Sequence, residues 1–198
     1  MTKTAGRTDN RERILKAACA LFLKQGFNGT STREIADKAG VSLGNIYNHF
    51  STKEDLFISL LKEYEADYFT HDQPLARVMA STRFPDNLEA LGDASKEVVE
   101  RFSDYILLTY VDVVEFDAKH IGRLFENMRE RYSAVLKAKG TGPLAPGVDP
   151  AGALMMVVWG YYNYFIMEKL FKVRNHYGMK DSEVIKLFAR VYRRGLEP

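Results

Sequence analysis

Apolar residues recur at helical spacing along most of the chain. Near the N-terminus, one such set falls at i, i+3, i+4, i+7 and i+8, and consists of Ile14, Ala17, Ala18, Leu21 and Phe22. This is the spacing of one face of an amphipathic helix. Similar apolar patterns follow in segments 51–80, 86–102, 105–116, 121–139, 150–173 and 181–195. Within the first of these segments, Pro74 can kink or interrupt the helix. The pattern predicts an all-α protein of about nine helices, with no segment that alternates like a strand.

Residues 30–50 contain signals for two short helices joined by a glycine turn. Ser31 and Glu34 form a capping box, which predicts a helix that begins at Thr32 and ends at Gly40. Ser42 can cap a second helix over residues 43–49. Two short helices in this order predict a helix-turn-helix, whose second helix enters the major groove of DNA.

Several short motifs with fixed spacing lie within and around these two helices. They are Ala20-Leu21-Phe22, Gly26-Phe27, Thr30, Arg33-Glu34-Ile35-Ala36, Ala39-Gly40-Val41-Ser42, Gly44-Asn45-Ile46-Tyr47, His49-Phe50 and Lys53-Glu54-Asp55-Leu56. Together they resemble the DNA-binding domain of TetR/AcrR-type transcriptional regulators. The resemblance implies an N-terminal three-helix DNA-binding domain in residues 1–53. A larger helical domain for ligand binding and dimerisation is implied in residues 54–198.

The resemblance also implies which residues contact double-stranded DNA. Those expected to face bases or the groove wall are Arg33, Leu43, Gly44, Asn45, Tyr47 and Asn48, and those expected to hold phosphates are Thr32, His49 and Lys53. Arginine can contact guanine in bidentate fashion, and a lysine near a helix N-terminus can neutralise a phosphate. Leu43 departs from the polar or basic residue that many family members have there, so it offers only apolar contact, for example to a thymine methyl.

The charge distribution agrees with a DNA-binding N-terminal domain. Residues 1–53 contain nine Lys or Arg against four acidic residues, so the remainder of this +2 chain carries a net charge of −3. A basic domain on a mildly acidic body offers only its first domain to phosphates.

The body is rich in aromatic and flexible side chains on helices that should converge. The family resemblance implies a pocket for an apolar or amphipathic effector, and the candidate lining residues are Tyr105, Phe116, His120, Phe125, Trp159 and Tyr162. The same side chains would also suit an ordinary helical core.

The helix predicted over residues 150–173 is apolar on every side, and the last helix carries a second apolar stripe. In the resembled family, the last two helices of each subunit form a four-helix dimer interface. The candidate anchors are Tyr161, Tyr162, Phe165, Phe188 and Tyr192. Alternatively, both helices only close the core of a monomer.

The sequence gives little support to an enzyme, a metal protein or a membrane protein. Asp112, Glu115, Asp117 and His120 could bind a metal or move a proton if they clustered, but such a set is more often a solvated or ion-paired face. No catalytic motif accompanies them, so we expect no enzyme activity, no cofactor and no metal. Residues 150–167 carry no charge but read as a buried helix, and residues 1–11 lack the apolar core of a signal peptide, so we expect a cytoplasmic protein.

Three hypotheses follow. The first is a ligand-responsive dimeric regulator, expected to be a repressor of a pseudo-palindromic operator. The second is a DNA-binding protein of the same fold that has no small-molecule switch and acts through protein partners. The third is an all-helical enzyme or metal-binding protein whose helix-turn-helix only packs, and the basic N-terminal domain argues against it.

Overall fold

The structure is a computed structural model that describes residues 3–68, 70, 72–122 and 128–198. These residues form helices and no β-strand, which confirms the all-α prediction. The α-helices are α1 (Lys3–Gln25), α2 (Thr32–Ala39), α3 (Leu43–Tyr47), α4 (Lys53–Tyr68), α5 (Pro74–Ser81), α6 (Leu88–Arg101), α7 (Ser103–Phe116), α8 (Met128–Lys139), α9 (Pro150–Phe165) and α10 (Asp181–Leu196). A π-helical turn, Ile166–Leu170, directly follows α9.

The chain divides into two compact units. The first comprises residues 1–68 and 104–122, and the second comprises residues 69–103 and 123–198. Helices α4 and α7 therefore belong to the same unit as the helix-turn-helix. The assignment of DNA binding to residues 1–53, and of ligand binding and dimerisation to residues 54–198, remains a prediction.

An aromatic core fills the first unit. Phe22 and Phe57 are fully buried, and their ring centroids lie 5.6 Å apart in an edge-to-face arrangement. Phe27 packs 5.4 Å from Phe22, and Phe116 of α7 stacks 5.1 Å from Phe57. Cys19 is also buried, and burial raises the pKa of its thiol, so it serves as a small packed side chain.

Proline divides the helix that the sequence pattern predicted over residues 51–80. Helix α4 ends at Tyr68, and α5 begins at Pro74. Pro74 lacks an N–H group and suits the first turn of a helix, while the Gln73 side chain accepts a hydrogen bond from Ala76 N at 2.8 Å. The interruption that the sequence allowed at Pro74 therefore occurs, and the segment forms two helices.

The second unit is built on the packing of α6 against α9 and α10. A Cβ atom on Gly92 of α6 would lie 2.8 Å from Ile185 Cγ2 and 2.9 Å from Tyr161 Cε1, so only glycine permits this close approach. The Tyr161 hydroxyl donates to the backbone oxygen of Ile185 at 3.1 Å.

Two of the predicted dimer anchors are wrong. Tyr161 and Phe165 are both 0% exposed within the protomer, because they pack into the core of the second unit. The sequence predicted that α9 is buried, but within the protomer one side of it is exposed, since Met156 is 54% and Trp159 41% exposed. Among the described residues, no helix has both the length and the apolar character needed to cross a membrane.

Candidate nucleic-acid interface

The turn between α2 and α3 has the geometry that its sequence predicts. The Ser31 hydroxyl accepts from Glu34 N at 3.2 Å, and the Glu34 carboxylate accepts from Ser31 N at 2.8 Å, which completes the capping box. Gly40 ends α2 with a φ of +65°, in the left-handed region that favours glycine. Ser42 then caps α3 by accepting from Asn45 N at 3.2 Å.

Helix α3 buries one face and exposes the other. Ile46 and the following Phe50 are buried, whereas Leu43 is 40% and Tyr47 53% exposed. Gly44 and Asn48 are exposed as well. The helix is shorter than the predicted span of residues 43–49, because Asn48 is its C-cap. Its outer face is therefore a small polar and aromatic surface free to meet a groove.

The other predicted DNA contacts differ in their exposure. Arg33 is exposed on the first turn of α2, and the Thr32 hydroxyl lies 3.5 Å from the Tyr47 hydroxyl. His49 is half-buried, with its ring 6.2 Å from that of Phe50. Asn45 is half-buried too, and its Oδ1 is buried without a hydrogen-bond partner. Arg33 and Asn48 are therefore more exposed than Asn45, and their contacts with bases remain predictions.

The Lys53 ammonium holds the loop between α1 and α2. It donates to the backbone oxygens of Phe27 at 2.7 Å and Thr30 at 2.6 Å, and it lies 4.2 Å from the centre of the Phe27 ring. Burial lowers the pKa of Lys53, while the carboxylates of Glu115 and Glu34 oppose that shift. Since an ammonium has three donors, one remains for the predicted phosphate contact.

The C-terminal end of α7 contacts the same loop. The Glu115 carboxylate accepts from Phe27 N at 2.8 Å and from Asn28 N at 2.6 Å. Phe116 places its ring 4.6 Å from that of Phe27. The sequence pattern could not predict this contact, because Glu115 and Phe27 are 88 residues apart.

Asp112 and His120 form a second connection between α7 and the helices that precede it. Asp112 is fully buried and accepts from the backbone nitrogens of His120 and Ile121, each at 3.1 Å. It also bonds His120 Nδ1 at 2.5 Å, while His120 Nε2 lies 3.2 Å from the Glu54 carboxylate of α4. Lys119 donates to Glu54 at 2.7 Å. The residues considered for metal or proton chemistry thus tie α7 to α4.

No metal site accompanies this network. Across the described part of the chain, no group of three or more His, Cys, Asp or Glu side chains could hold a metal ion.

The predicted effector residues are divided between the two units. Tyr105, Phe116 and His120 lie in the first unit, Trp159 and Tyr162 lie in the second, and Phe125 lies outside the described residues. Tyr105 is 3% exposed and stacks on Tyr64 at 5.7 Å, and both ring nitrogens of His120 are bonded to carboxylates. These contacts already explain why such side chains occur in the first unit, and their pocket role remains a prediction.

Comparison with known proteins finds relatives in the family that the motifs of residues 20–56 resemble. Residues 14–60 match the family model described as bacterial regulatory proteins, tetR family. The transcriptional repressor KstR2 of Rhodococcus jostii (strain RHA1) is 28% identical over 139 residues, which cover 68% of this chain and 67% of that protein. The transcriptional regulator QacR of Staphylococcus aureus is 43% identical over 58 residues, which cover 29% of this chain and 31% of that protein.

A solved structure shares the fold. The ketosteroid transcriptional regulator KstR2 of Mycobacterium tuberculosis superposes with a TM-score of 0.62 at 22% identity, and the alignment covers 95% of each chain.

Proposed function

This chain is a TetR-family transcriptional regulator, and we propose that it represses transcription as a homodimer bound to a pseudo-palindromic operator. A small apolar or amphipathic effector then releases it from the DNA. The relatives to which it is similar are regulators, so the chain is not an enzyme. We expect it to act in the cytoplasm.

The exposed face of α3 carries the proposal for DNA binding. Buried Ile46 and Phe50 fix the helix to its unit, whereas Leu43, Tyr47 and Asn48 are exposed on its other face. A short helix presented in this way fits the width of the major groove. The excess of basic residues in segment 1–53 supplies the attraction to phosphates.

A dimer is supported by an exposed apolar surface on α9 and α10. Met156 and Trp159 of α9 and Val191 of α10 are exposed, and Tyr162, Phe188 and Tyr192 are half-buried. Gly160 brings the two helices together, because a Cβ there would lie 1.9 Å from the Tyr192 hydroxyl. A two-fold dimer would suit a pseudo-palindromic operator, whose half-sites lie in successive major grooves ~34 Å apart.

An effector response is supported by the position of α7. This helix lies outside the helix-turn-helix in sequence, yet its Glu115 contacts the α1–α2 loop. Its Asp112 also bonds His120, whose other ring nitrogen lies 3.2 Å from Glu54 of α4. A ligand shifts an equilibrium through its differential affinity for two states. A ligand that favours another position of α7 would therefore change the positions of α2 and α3. The alternative is a regulator of the same fold that uses this connection for a protein partner.

The test begins with selection of duplexes from a random DNA library on the purified protein. We expect an enriched pseudo-palindrome. A thermal-shift screen of uncharged and amphipathic compounds follows, in which a ligand at a hundred times its dissociation constant adds ~2.7 kcal/mol of stability. Saturation with such a ligand should weaken operator binding. Unchanged operator affinity with every stabilising ligand would favour the alternative.

Arg33→Ala is expected to cost about 1–3 kcal/mol of operator binding and to relax preference at one base position, because arginine bonds guanine in bidentate fashion. Binding to a selected duplex and to each single-base variant of it would be measured by fluorescence anisotropy. Lys38→Ala, which removes an exposed lysine from the same helix, controls for the loss of one charge. Equal losses on the selected and scrambled duplexes would show that Arg33 contacts only the backbone.

A further inference from the structure

The loop that joins α1 to α2, residues 26–30, has hydrogen-bond partners for most of its backbone groups. Gly26 N donates to Phe22 O at 2.9 Å, and the Thr30 hydroxyl donates to Gly26 O at 2.7 Å. Gln25 Nε2 donates to Gly29 O at 2.7 Å. The Phe27 carbonyl accepts one further bond from Thr30 N at 3.2 Å. These bonds come from the loop and from α1, and they leave the N–H groups of residues 27 and 28, the carbonyl of residue 30 and one lone pair of the Phe27 carbonyl to be satisfied from elsewhere.

Two oppositely charged side chains satisfy those remaining groups. Glu115 accepts from the N–H groups of Phe27 and Asn28, and Lys53 donates to the carbonyls of Phe27 and Thr30. Phe27 is therefore held by a carboxylate through its nitrogen and by an ammonium through its oxygen. Hydrogen bonds to charged groups are about twice as strong as neutral ones, so this loop has one well-defined position.

Gly26 makes room for the carboxylate. Its φ is +75°, and a Cβ atom there would lie 2.4 Å from Glu115 Oε1. Both the backbone conformation and the close approach of the carboxylate require glycine. The Gly26-Phe27 motif therefore forms the binding site for the Glu115 side chain as well as the end of α1.

The loop in turn determines where α2 begins. Thr30 is 2% exposed, and the next residue, Ser31, is the N-cap of α2. Arg33 and Thr32 occupy the first turn of that helix, and the Tyr47 hydroxyl of α3 lies 3.5 Å from the Thr32 hydroxyl. A displacement of the loop would therefore move the first helix of the helix-turn-helix together with its DNA-contacting side chains.

We propose that Glu115 is a positioning residue for operator binding, which acts from α7 by fixing the α1–α2 loop against Lys53 and thereby the orientation of α2 and α3. It touches no DNA itself. The proposal rests on the sequence-specific DNA binding proposed above and does not depend on an effector.

Electrostatics alone predicts the opposite effect. Glu115 adds a negative charge to the DNA-binding unit, so its removal should leave binding to any duplex unchanged or slightly tighter, because phosphates are repelled less. Positioning predicts weaker binding to the selected operator only. The sign of the change therefore distinguishes the two roles.

The experiment compares Glu115→Ala, Glu115→Gln and Val114→Ala. Glutamine removes the same charge but keeps one oxygen that can accept from one of the two N–H groups. Val114 is the adjacent residue of α7 and is 80% exposed, so its replacement controls for changes in the helix alone. Affinities for a duplex selected by the wild-type protein and for a scrambled duplex of equal length would be measured at low temperature, after circular dichroism shows that each variant is folded.

We expect Glu115→Ala to weaken selected-duplex binding about tenfold and Glu115→Gln about threefold, because residues that act through a neighbouring element change affinities by about this much. Scrambled-duplex affinity should not fall, and Val114→Ala should change neither value. Hydrogen exchange at the amides of Phe27 and Asn28 should speed up in the alanine variant. If alanine prevents folding, the glutamine variant decides.

Equal changes on both duplexes, or wild-type affinity in the alanine or glutamine variant, would overturn the positioning role. A wild-type protein that selects no duplex would instead overturn the proposed operator binding, so the two failures can be told apart.

Discussion

Replacing Asp112 with alanine is expected to lower the free energy of unfolding by about 3–5 kcal/mol, because it leaves several buried groups without a hydrogen-bond partner, each at a cost of about 1–3 kcal/mol. Asp112 is fully buried, and its carboxylate accepts from His120 N, Ile121 N and His120 Nδ1. Alanine would leave two backbone donors and one ring nitrogen without their partner in a site that water cannot reach. Each such group carries an unfavourable desolvation term.

Urea denaturation followed by far-UV circular dichroism measures this loss. The same oxygen of Asp112 accepts from His120 N and Ile121 N, and Asp112→Asn keeps an oxygen for that place, so about half of the loss or less is expected. Asp37→Ala removes an exposed aspartate from α2 in the same unit and should change the free energy of unfolding by less than about 0.5 kcal/mol. A loss for Asp112→Ala no larger than that of Asp37→Ala would mean that the network contributes nothing to stability.

The local features of this protein were predictable because their causes lie within a few residues. The capping box of Ser31 and Glu34, the left-handed Gly40 and the Ser42 cap each depend on contacts over three to five residues, and all three occur in the structure. The helix order follows from the apolar period in the same way. These features are also enough to indicate the helix-turn-helix and its exposed face.

The long-range features were not predictable from the pattern. Glu115 was assigned to a possible catalytic or metal cluster, since nothing near it in sequence indicates a partner 88 residues away. Tyr161 and Phe165 of α9 were misassigned for a different reason. A helix that is apolar on every side gives no period from which to tell its inner face from its outer one.

The structure resolves that ambiguity on α9. Tyr161 and Phe165 face the core, whereas Met156 and Trp159 are exposed. The exposed residues 156, 159 and 163 follow helical spacing along one side of α9. The sequence could not single out this side of the helix, and it assigned Trp159 to a pocket and Met156 to no site.

The dimer predicted from this surface should dissociate when charges are placed on it. Trp159→Glu combined with Val191→Glu replaces two exposed apolar side chains, one on each helix, without changing a residue of the protomer core. Burying an unpaired carboxylate is strongly unfavourable, so the double variant should be monomeric at about 10 μM in sedimentation velocity. Val135→Glu, at a 38% exposed position on α8, should leave the wild-type assembly intact.

Loss of the dimer should weaken binding to the whole operator and leave binding to a single half-site nearly unchanged. Two linked recognition helices bind with an effective local concentration, which adds roughly 10²–10⁴-fold to the affinity for the palindrome. The double variant is therefore expected to lose at least about a hundredfold on the selected palindrome, while its affinity for a duplex with a single half-site stays within about threefold of the wild-type protein. Half-site binding is the informative control, because the α3 surface and its support from Glu115 and Lys53 belong to one protomer. A double variant that remains dimeric would show that the interface lies elsewhere on the chain. A monomer with undiminished affinity for the palindrome would mean that dimerisation contributes nothing to operator binding.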